Sequence, residues 1–231
     1  MGSAFKRISR NVRLPINRRQ ARQRLREYHS SARTIGETVG WALDFGGHGH
    51  FKFQTQQIRS EITALAKAVD RMAPKTILEI GTARGGTLLI WASIASELVV
   101  SCDLEDKSIQ ADLLRAFPPP GSGCRVELVC GDSHEEAFKE HIKNVLDGRE
   151  VDFLFIDGDH TLDGVTQDFE MYSPLVRSGG LVAFHDIAEN QVLETNNVFP
   201  LWQRLKKEYE HEEFIADRDQ FGYGIGVLTM P

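Results

Sequence analysis

The amino-acid sequence predicts an α/β fold whose sheet is mostly parallel and ends in an antiparallel C-terminal hairpin. Three observations lead there. Short β-branched runs alternate with amphipathic helical stretches from about residue 73 onward. Most of those runs end in glycine or a polar residue. The last two runs lie too close together for a parallel crossover, which needs a dozen or more residues.

In chain order, Ile58, Ile62, Leu65, Ala66 and Val69 recur at helical spacing, so a helix over 57–72 leads to the first strand. Residues 76–80 form that strand, and a helix over 86–96 follows. The second strand is 98–102 and the third 125–129. A helix over 133–146 carries Phe138, Ile142 and Val145 on one face. The fourth strand is 152–156. A helix over 162–176 is lined by Val165, Phe169, Tyr172 and Val176, and the turn Ser178-Gly179-Gly180 leads into a fifth strand at 180–184. A final helix over 201–209 precedes strands at 213–216 and 223–228, joined by a turn.

The 231 residues suit one large domain with a tail, and 41% hydrophobic with 26% charged residues is ordinary for a globular core. The longest apolar stretch, residues 88–100, is broken by Ser93, Ser96 and Glu97, so no transmembrane segment is expected. Cys102, Cys124 and Cys130 lack metal-type spacing, which points to reduced thiols and a cytoplasmic setting.

Charge divides the chain. Residues 1–40 hold ten Lys/Arg against Glu27 and Glu37, while the rest is strongly acidic. The expected organisation is a basic N-terminal arm (1–40), a lid loop and leading helix (41–72) and the main domain (73–231). Pro15 predicts an irregular start to the arm, followed by a short basic helix to about Tyr28. Contact with nucleic acid or an anionic surface, organellar targeting, and a solvated or homo-oligomer-contacting extension all stay open for the arm. Residues 41–53 interleave glycine with aromatics and read as a loop folding over a pocket. His48 and His50 within it are weak candidates for metal binding.

Ligands of open parallel sheets bind beyond the carboxyl ends of the strands, so the polar residues there carry the chemistry. The first strand ends I-L-E-I-G-T-A-R-G-G-T, with Glu79 in an otherwise apolar strand and Gly81, Gly85 and Gly86 in the turn. This is not the dinucleotide fingerprint, because the glycine spacing differs. The second strand places Asp103 where an acid accepts ribose hydroxyls. The third ends at Asp132 and Ser133, the fourth supplies Asp157, Asp159 and His160, and the fifth supplies His185 and Asp186.

Together, E-x-G-x-x-x-G-G, the acid after the second strand and the G-D-S turn resemble the class I S-adenosylmethionine (SAM) dependent methyltransferases, with their Rossmann-like sheet. The resemblance implies that Glu79, Gly81, Thr82, Ala83, Gly85 and Thr87 hold the methionine end of SAM, Asp103 the ribose, and Asp132 with Ser133 the adenine. Asp157 would meet the cofactor as well. The strand ends F-I-D-G-D-H and F-H-D are similar to the small metal-dependent O-methyltransferases, a subgroup with catechol- and sugar-modifying members and relatives of cephalosporin hydroxylase.

On that pattern Asp157, His185 and Asp186 would bind magnesium or another divalent metal, although the subgroup more often has Asp, Glu or Asn in place of His185. His160 and His185 are the candidate catalytic residues, with His160 preferred as the base. The implied activity is O-methylation of a small-molecule hydroxyl. A hydroxylase-like relative of the same fold and a non-catalytic SAM- or nucleotide-binding protein are the alternatives. A nucleic-acid substrate is disfavoured by the acidic domain and the missing N-P-P-Y-type motif. Phe199 and Trp202 are candidate walls of the substrate pocket, or simply core.

Overall fold

The computed structural model describes residues 2–231, with side chains from residue 13 onward. Seven strands form one sheet: β1 (Thr76–Ile80), β2 (Leu98–Asp103), β3 (Arg125–Cys130), β4 (Val151–Ile156), β5 (Val176–His185), β6 (Glu210–Phe214) and β7 (Ile225–Thr229). Their order is β3-β2-β1-β4-β5-β7-β6. Strands β1 to β5 pair in parallel, and β7 runs against both β5 and β6.

Among the described residues eight α-helices surround the sheet: α1 (Gly2–Tyr28), α2 (Ile35–Leu43), α3 (Arg59–Arg71), α4 (Gly86–Ile94), α5 (Ala111–Leu114), α6 (Glu136–Leu146), α7 (Leu162–Tyr172) and α8 (Val198–Leu205). One face of the sheet, with Ile77, Val99, Phe153 and Phe155, packs on α1 to α4. The other, with Leu78, Val100, Leu154 and Phe184, packs on α6 to α8. Burial on both faces is why these strands read as continuous apolar runs rather than alternating ones.

Several boundaries depart from the sequence expectation. Helix α1 is continuous from Gly2 with Pro15 inside it, where an irregular start was expected. Its Ala21, Leu25 and Tyr28, spaced i, i+4, i+7, are buried in the core beneath the arginines. Arg22 pairs with Asp112 at 2.8 Å, Arg18 donates to the Ile109 carbonyl, and Arg24 lies 4.3 Å from the Trp41 ring centroid. Part of the basic charge is therefore used against this same chain. Helix α2 starts with a capping box, Thr34 and Glu37 each bonding the other's backbone N–H.

The aromatic segment 41–53 packs into the core and lines neither of the two cavities described below. Phe45, Phe51 and Phe53 are buried, and Phe53 meets Phe117 edge-to-face at 5.2 Å. His48 and His50 flank or lie in a single 3-10 turn, Gly49–Phe51, and both are at least partly exposed. Strand β5 begins at Val176, so the expected 178–180 turn is part of the strand and is accommodated by an irregularity opposite β4. Strand β6 begins at Glu210 rather than 213, and α8 is correspondingly shorter and earlier than 201–209. Trp202 belongs to the core: it is 1% exposed, donates to Glu213 and underlies Gly226, while Phe199 lines none of the cavities described below.

Candidate active site

The chain order reverses between β1 and β4, with β2 and β3 to one side and β5 and β7 to the other. The cleft of such a sheet lies above this point. Gly81 makes the close approach possible. Its φ is +104°, and a Cβ there would collide with the Asp157 carbonyl oxygen. Its N–H and that of Thr82 both donate to the Cys102 carbonyl, drawing the β1 turn over the end of β2.

Two adjoining cavities fill the cleft and share Gly81, Ala83, Arg84, Asp157, Gly158 and His160. The first, about 800 Å³, extends over β2 and β3 past Asp103, Lys107, Asp132, Ser133 and His134. The second, about 660 Å³, extends over β5 past Gln57, Thr82, Thr87, His185, Asp186, Asn196 and Tyr223. Both sizes suit small-molecule ligands.

Asp103 accepts hydrogen bonds from the N–H groups of Ala83 and Glu105, each at 2.7 Å, and meets Lys107 at 3.1 Å. Ala83 holds a positive φ of 44°, a strained conformation fixed in part by that carboxylate. Asp132 caps the next turn by accepting from the His134 N–H at 3.0 Å. Asp103, Asp132 and Ser133 thus come together around one cavity, as the sequence implied.

Glu79 does not join them. Two residues on from Ile77, it shares that residue's side of the sheet and turns under α4, where it is 0% exposed. Trp91 Nε1 donates to one carboxylate oxygen at 3.0 Å and Ser101 Oγ to the other. Burial pushes this carboxyl up to about 7. It braces β1 against α4 and reaches neither cavity. Gly85 also lines neither: it takes φ +72° as the N-cap of α4, packed on Leu114 and Phe117.

At the boundary of the cavities four charged side chains converge. His185 Nδ1 lies 2.9 Å from Asp157 Oδ1 and 3.5 Å from Asp186 Oδ1. His160 Nδ1 lies 2.9 Å from Asp186 Oδ2, and its Nε2 lies 3.5 Å from Asp157 Oδ1. Burial alone would discharge the carboxylates, but the two imidazoles outweigh it and hold both below the usual range. Conversely, burial would strip the imidazoles of their protons, and the carboxylates reverse this, raising His185 and bringing His160 to about 10. Near neutral pH the two carboxylates are ionised and His160 is an imidazolium, while the same carboxylates shift His185 upward.

Residues that the sequence did not single out complete the cluster. Gln57 reaches it from ahead of α3 and donates to Asp157 at 3.1 Å. Asn196, from the loop before α8, donates to Asp186 at 2.7 Å. Asp186 adopts φ +64° and accepts from the Tyr223 N–H. A lone glutamine and a loop asparagine give no periodic or motif signal, so only the folded chain reveals them.

Among the described residues, no group of three or more His, Cys, Asp or Glu is arranged as a metal cage, because these four close on one another as ion pairs. The donor chemistry nonetheless suits a hard cation. The amide oxygens of Gln57 and Asn196 are buried without a hydrogen-bond partner beside two carboxylates. No helix among the described residues is long and apolar enough to cross a membrane.

Residues 78–187 match the family described as a methyltransferase domain. An uncharacterized protein of Acanthamoeba polyphaga mimivirus is 30% identical over 117 residues, which cover 48% of this chain and 51% of that protein. Among solved structures, the O-methyltransferase TomG from Streptomyces achromogenes, in complex with SAM, aligns with a TM-score of 0.56 at 16% identity, covering 87% of this chain and 92% of TomG. The O-methyltransferase from Bacillus cereus, in complex with SAH, aligns with a TM-score of 0.53 at 18% identity, covering 90% and 96%. The MycE methyltransferase from the mycinamycin biosynthetic pathway, in complex with Mg and SAH, aligns with a TM-score of 0.56 at 16% identity, covering 87% of this chain and 54% of MycE. The chain spans about half the length of the viral relative and of MycE. At these identities the structures speak for the fold, and the family match speaks for the segment from β1 through the end of β5. Residues 78–187 thus match a methyltransferase-domain model, on a seven-stranded Rossmann-like sheet.

Proposed function

We propose that the protein is a SAM-dependent O-methyltransferase that acts on a hydroxyl of a small molecule with the help of a divalent cation. The convergence of Asp157, His160, His185 and Asp186 where the two cavities meet carries this reading. A donor bound in the 800 Å³ cavity and an acceptor bound in the 660 Å³ cavity would face each other across that cluster. TomG and MycE, which share the fold, are described with SAM or SAH bound, MycE with Mg as well.

In this reading Asp103 holds the ribose, Asp132 and Ser133 border the adenine, and Gly81, Ala83 and Arg84, which both cavities share, border the methionine end, with Thr82 and Thr87 beyond them on the acceptor side. When bound, SAM supplies an electrophilic methyl group. The chain must then present the acceptor oxygen in line and take its proton. His160 takes that proton only when its carboxylate partners are otherwise engaged, because it stays an imidazolium while paired with both. A divalent ion held by Asp157 and Asp186, with His185 and the amide oxygens of Gln57 and Asn196 beside them, would supply positive potential that stabilises the acceptor as an alkoxide. At the outer rim, Val192 and Leu193 are 75% and 66% exposed, and Tyr223 lies beside them. A charged floor under an apolar rim suits an acceptor with a hydroxyl-bearing head and an apolar body.

The test is S-adenosylhomocysteine release from SAM, followed with catechol and glycoside acceptors in the presence and absence of Mg²⁺ or Mn²⁺. Failure to bind SAM overturns the reading, and turnover independent of metal removes only the cation. His160→Ala should slow turnover about 10²- to 10⁴-fold without weakening SAM binding. An unchanged rate takes His160 out of the mechanism.

A further inference from the structure

Resting on the reading of the 800 Å³ cavity as the SAM site, we infer that Asp168 is a positioning residue for the adenine end of the cofactor, acting through His134 and Ser133. Asp168 lies on α7, outside the cavity, and is 0% exposed. Its Oδ1 is 3.4 Å from His134 Nε2, while the other ring nitrogen of His134 is 3.6 Å from Asp132 Oδ1. The imidazole thus stands between one enclosed carboxylate and one at the cavity wall.

Tyr172, one turn further along the same face of α7, donates its hydroxyl to the Ser133 carbonyl at 2.7 Å. Side chains at i and i+4 of one helix therefore reach across to the same turn, residues 131–134, every residue of which lines the cavity. The turn is fixed from its other sides as well. Gly131 N–H donates to the Asp103 carbonyl, and a Cβ at this position would collide with the Phe138 ring.

Neither Asp168 oxygen nor His134 Nε2 has a hydrogen bond within normal geometry. A fully buried carboxylate is costly in that state. Burial pushes its carboxyl up to about 6, with the Ser133 hydroxyl first and then the His134 ring pulling the other way. A side chain kept in so unfavourable a place, beneath a turn already held by Tyr172, acts on the seating of His134 rather than on core packing.

The experiment measures the affinities of adenosine and of S-adenosylhomocysteine by calorimetry for the full chain, Asp168→Asn and His134→Ala. In Asp168→Asn both affinities should fall by the same factor, about tenfold. The Michaelis constant for SAM should rise more than saturated turnover falls. His134→Ala should show the same loss for adenosine, and the double variant should lose little more than either single one. Adenosine binding at the level of the unchanged protein in His134→Ala overturns the inference even where Asp168→Asn fails to fold. An equal loss of turnover and of SAM affinity in Asp168→Asn, with adenosine binding intact, overturns it too. If the unchanged protein binds neither adenosine nor S-adenosylhomocysteine, the cofactor reading falls and takes the inference with it.

Discussion

Glu79 and Asp157 belong to neighbouring parallel strands, Glu79 within β1 and Asp157 just past β4, and their carboxyls are shifted in opposite directions. Glu79 is enclosed on all sides and accepts from neutral donors, the Trp91 indole and the Ser101 hydroxyl, with the Thr87 hydroxyl close by. Two hydrogen bonds do not compensate for the loss of water, so its carboxyl is pushed up to about 7. The Asp157 side chain is 17% exposed, at the cavity edge, and meets His185, His160 and Gln57. Cationic partners reverse the effect of burial and keep it ionised. The two carboxylates are thus divided by partner chemistry as well as by depth, and the one kept ionised is the one placed to order the imidazoles.

The largest break in this contrast comes from Asp157→Asn. The change keeps the side-chain shape and removes the charge shared by both imidazoles. Turnover should fall on the order of 10³-fold, within the range expected for loss of acid–base function. Stability should fall by about 3 kcal/mol, because breaking a buried charge pair leaves its partner uncompensated. S-adenosylhomocysteine release and urea midpoints measure the two effects. Turnover within tenfold of the unchanged protein would show that the Asp157 charge is not needed.

The same contrast explains what was legible in the sequence. Asp103, Asp132, Asp157, His160, His185 and Asp186 could be read because each follows an apolar run, and a parallel sheet places all such ends on one rim. Glu79 occupies a position inside its run, where alternation sends it beneath α4, so the glycine motif assigned it to the cofactor although the pleat did not. Gln57 and Asn196 lie in irregular segments, and nothing local marks a residue whose partner is 100 positions away, as Gln57 is from Asp157. The strands were legible where they are buried. Strand β6, E-H-E-E-F, is a charged sheet edge with no apolar pattern, so its start was not. In α1 the stripe of Ala21, Leu25 and Tyr28 was hidden among arginines that drew attention to charge.

Glu79→Gln probes the other side of the contrast. The folded carboxyl, at about 7, binds its proton more tightly than an ordinary one at 4.5. Its contribution to stability is therefore complete below about pH 4.5 and is lost as pH rises to about 7, where the unfolded chain is already ionised. Over that window the loss amounts to about 3 kcal/mol, at roughly 1.4 kcal/mol per pH unit. Glutamine still accepts from Trp91 and carries no charge, so Glu79→Gln should gain about that much relative to the unchanged protein between pH 4.5 and 7.5. Urea titrations of both proteins across that range measure it. Parallel curves would mean that Glu79 ionises as an exposed glutamate does.

Ser101→Ala has the smallest expected effect and separates the roles of partner and depth. The hydroxyl of Ser101 links Glu79 to the Thr82 hydroxyl, 2.6 Å away, so it is a polar link from the buried carboxyl to the β1 turn at the cavity. Losing it removes one donor from the ionised carboxylate and leaves depth unchanged. The cost should be about 1 kcal/mol, the ordinary net value of a hydrogen bond. It should be larger at pH 8 than at pH 5, because the charged form depends on that donor more than the neutral form does. The loss of stability with rising pH should accordingly shift to higher pH, as the Glu79 carboxyl moves further above 7. If the cost were the same at both pH values, depth alone would set the state of Glu79, and the difference from Asp157 would owe nothing to the company each carboxylate keeps.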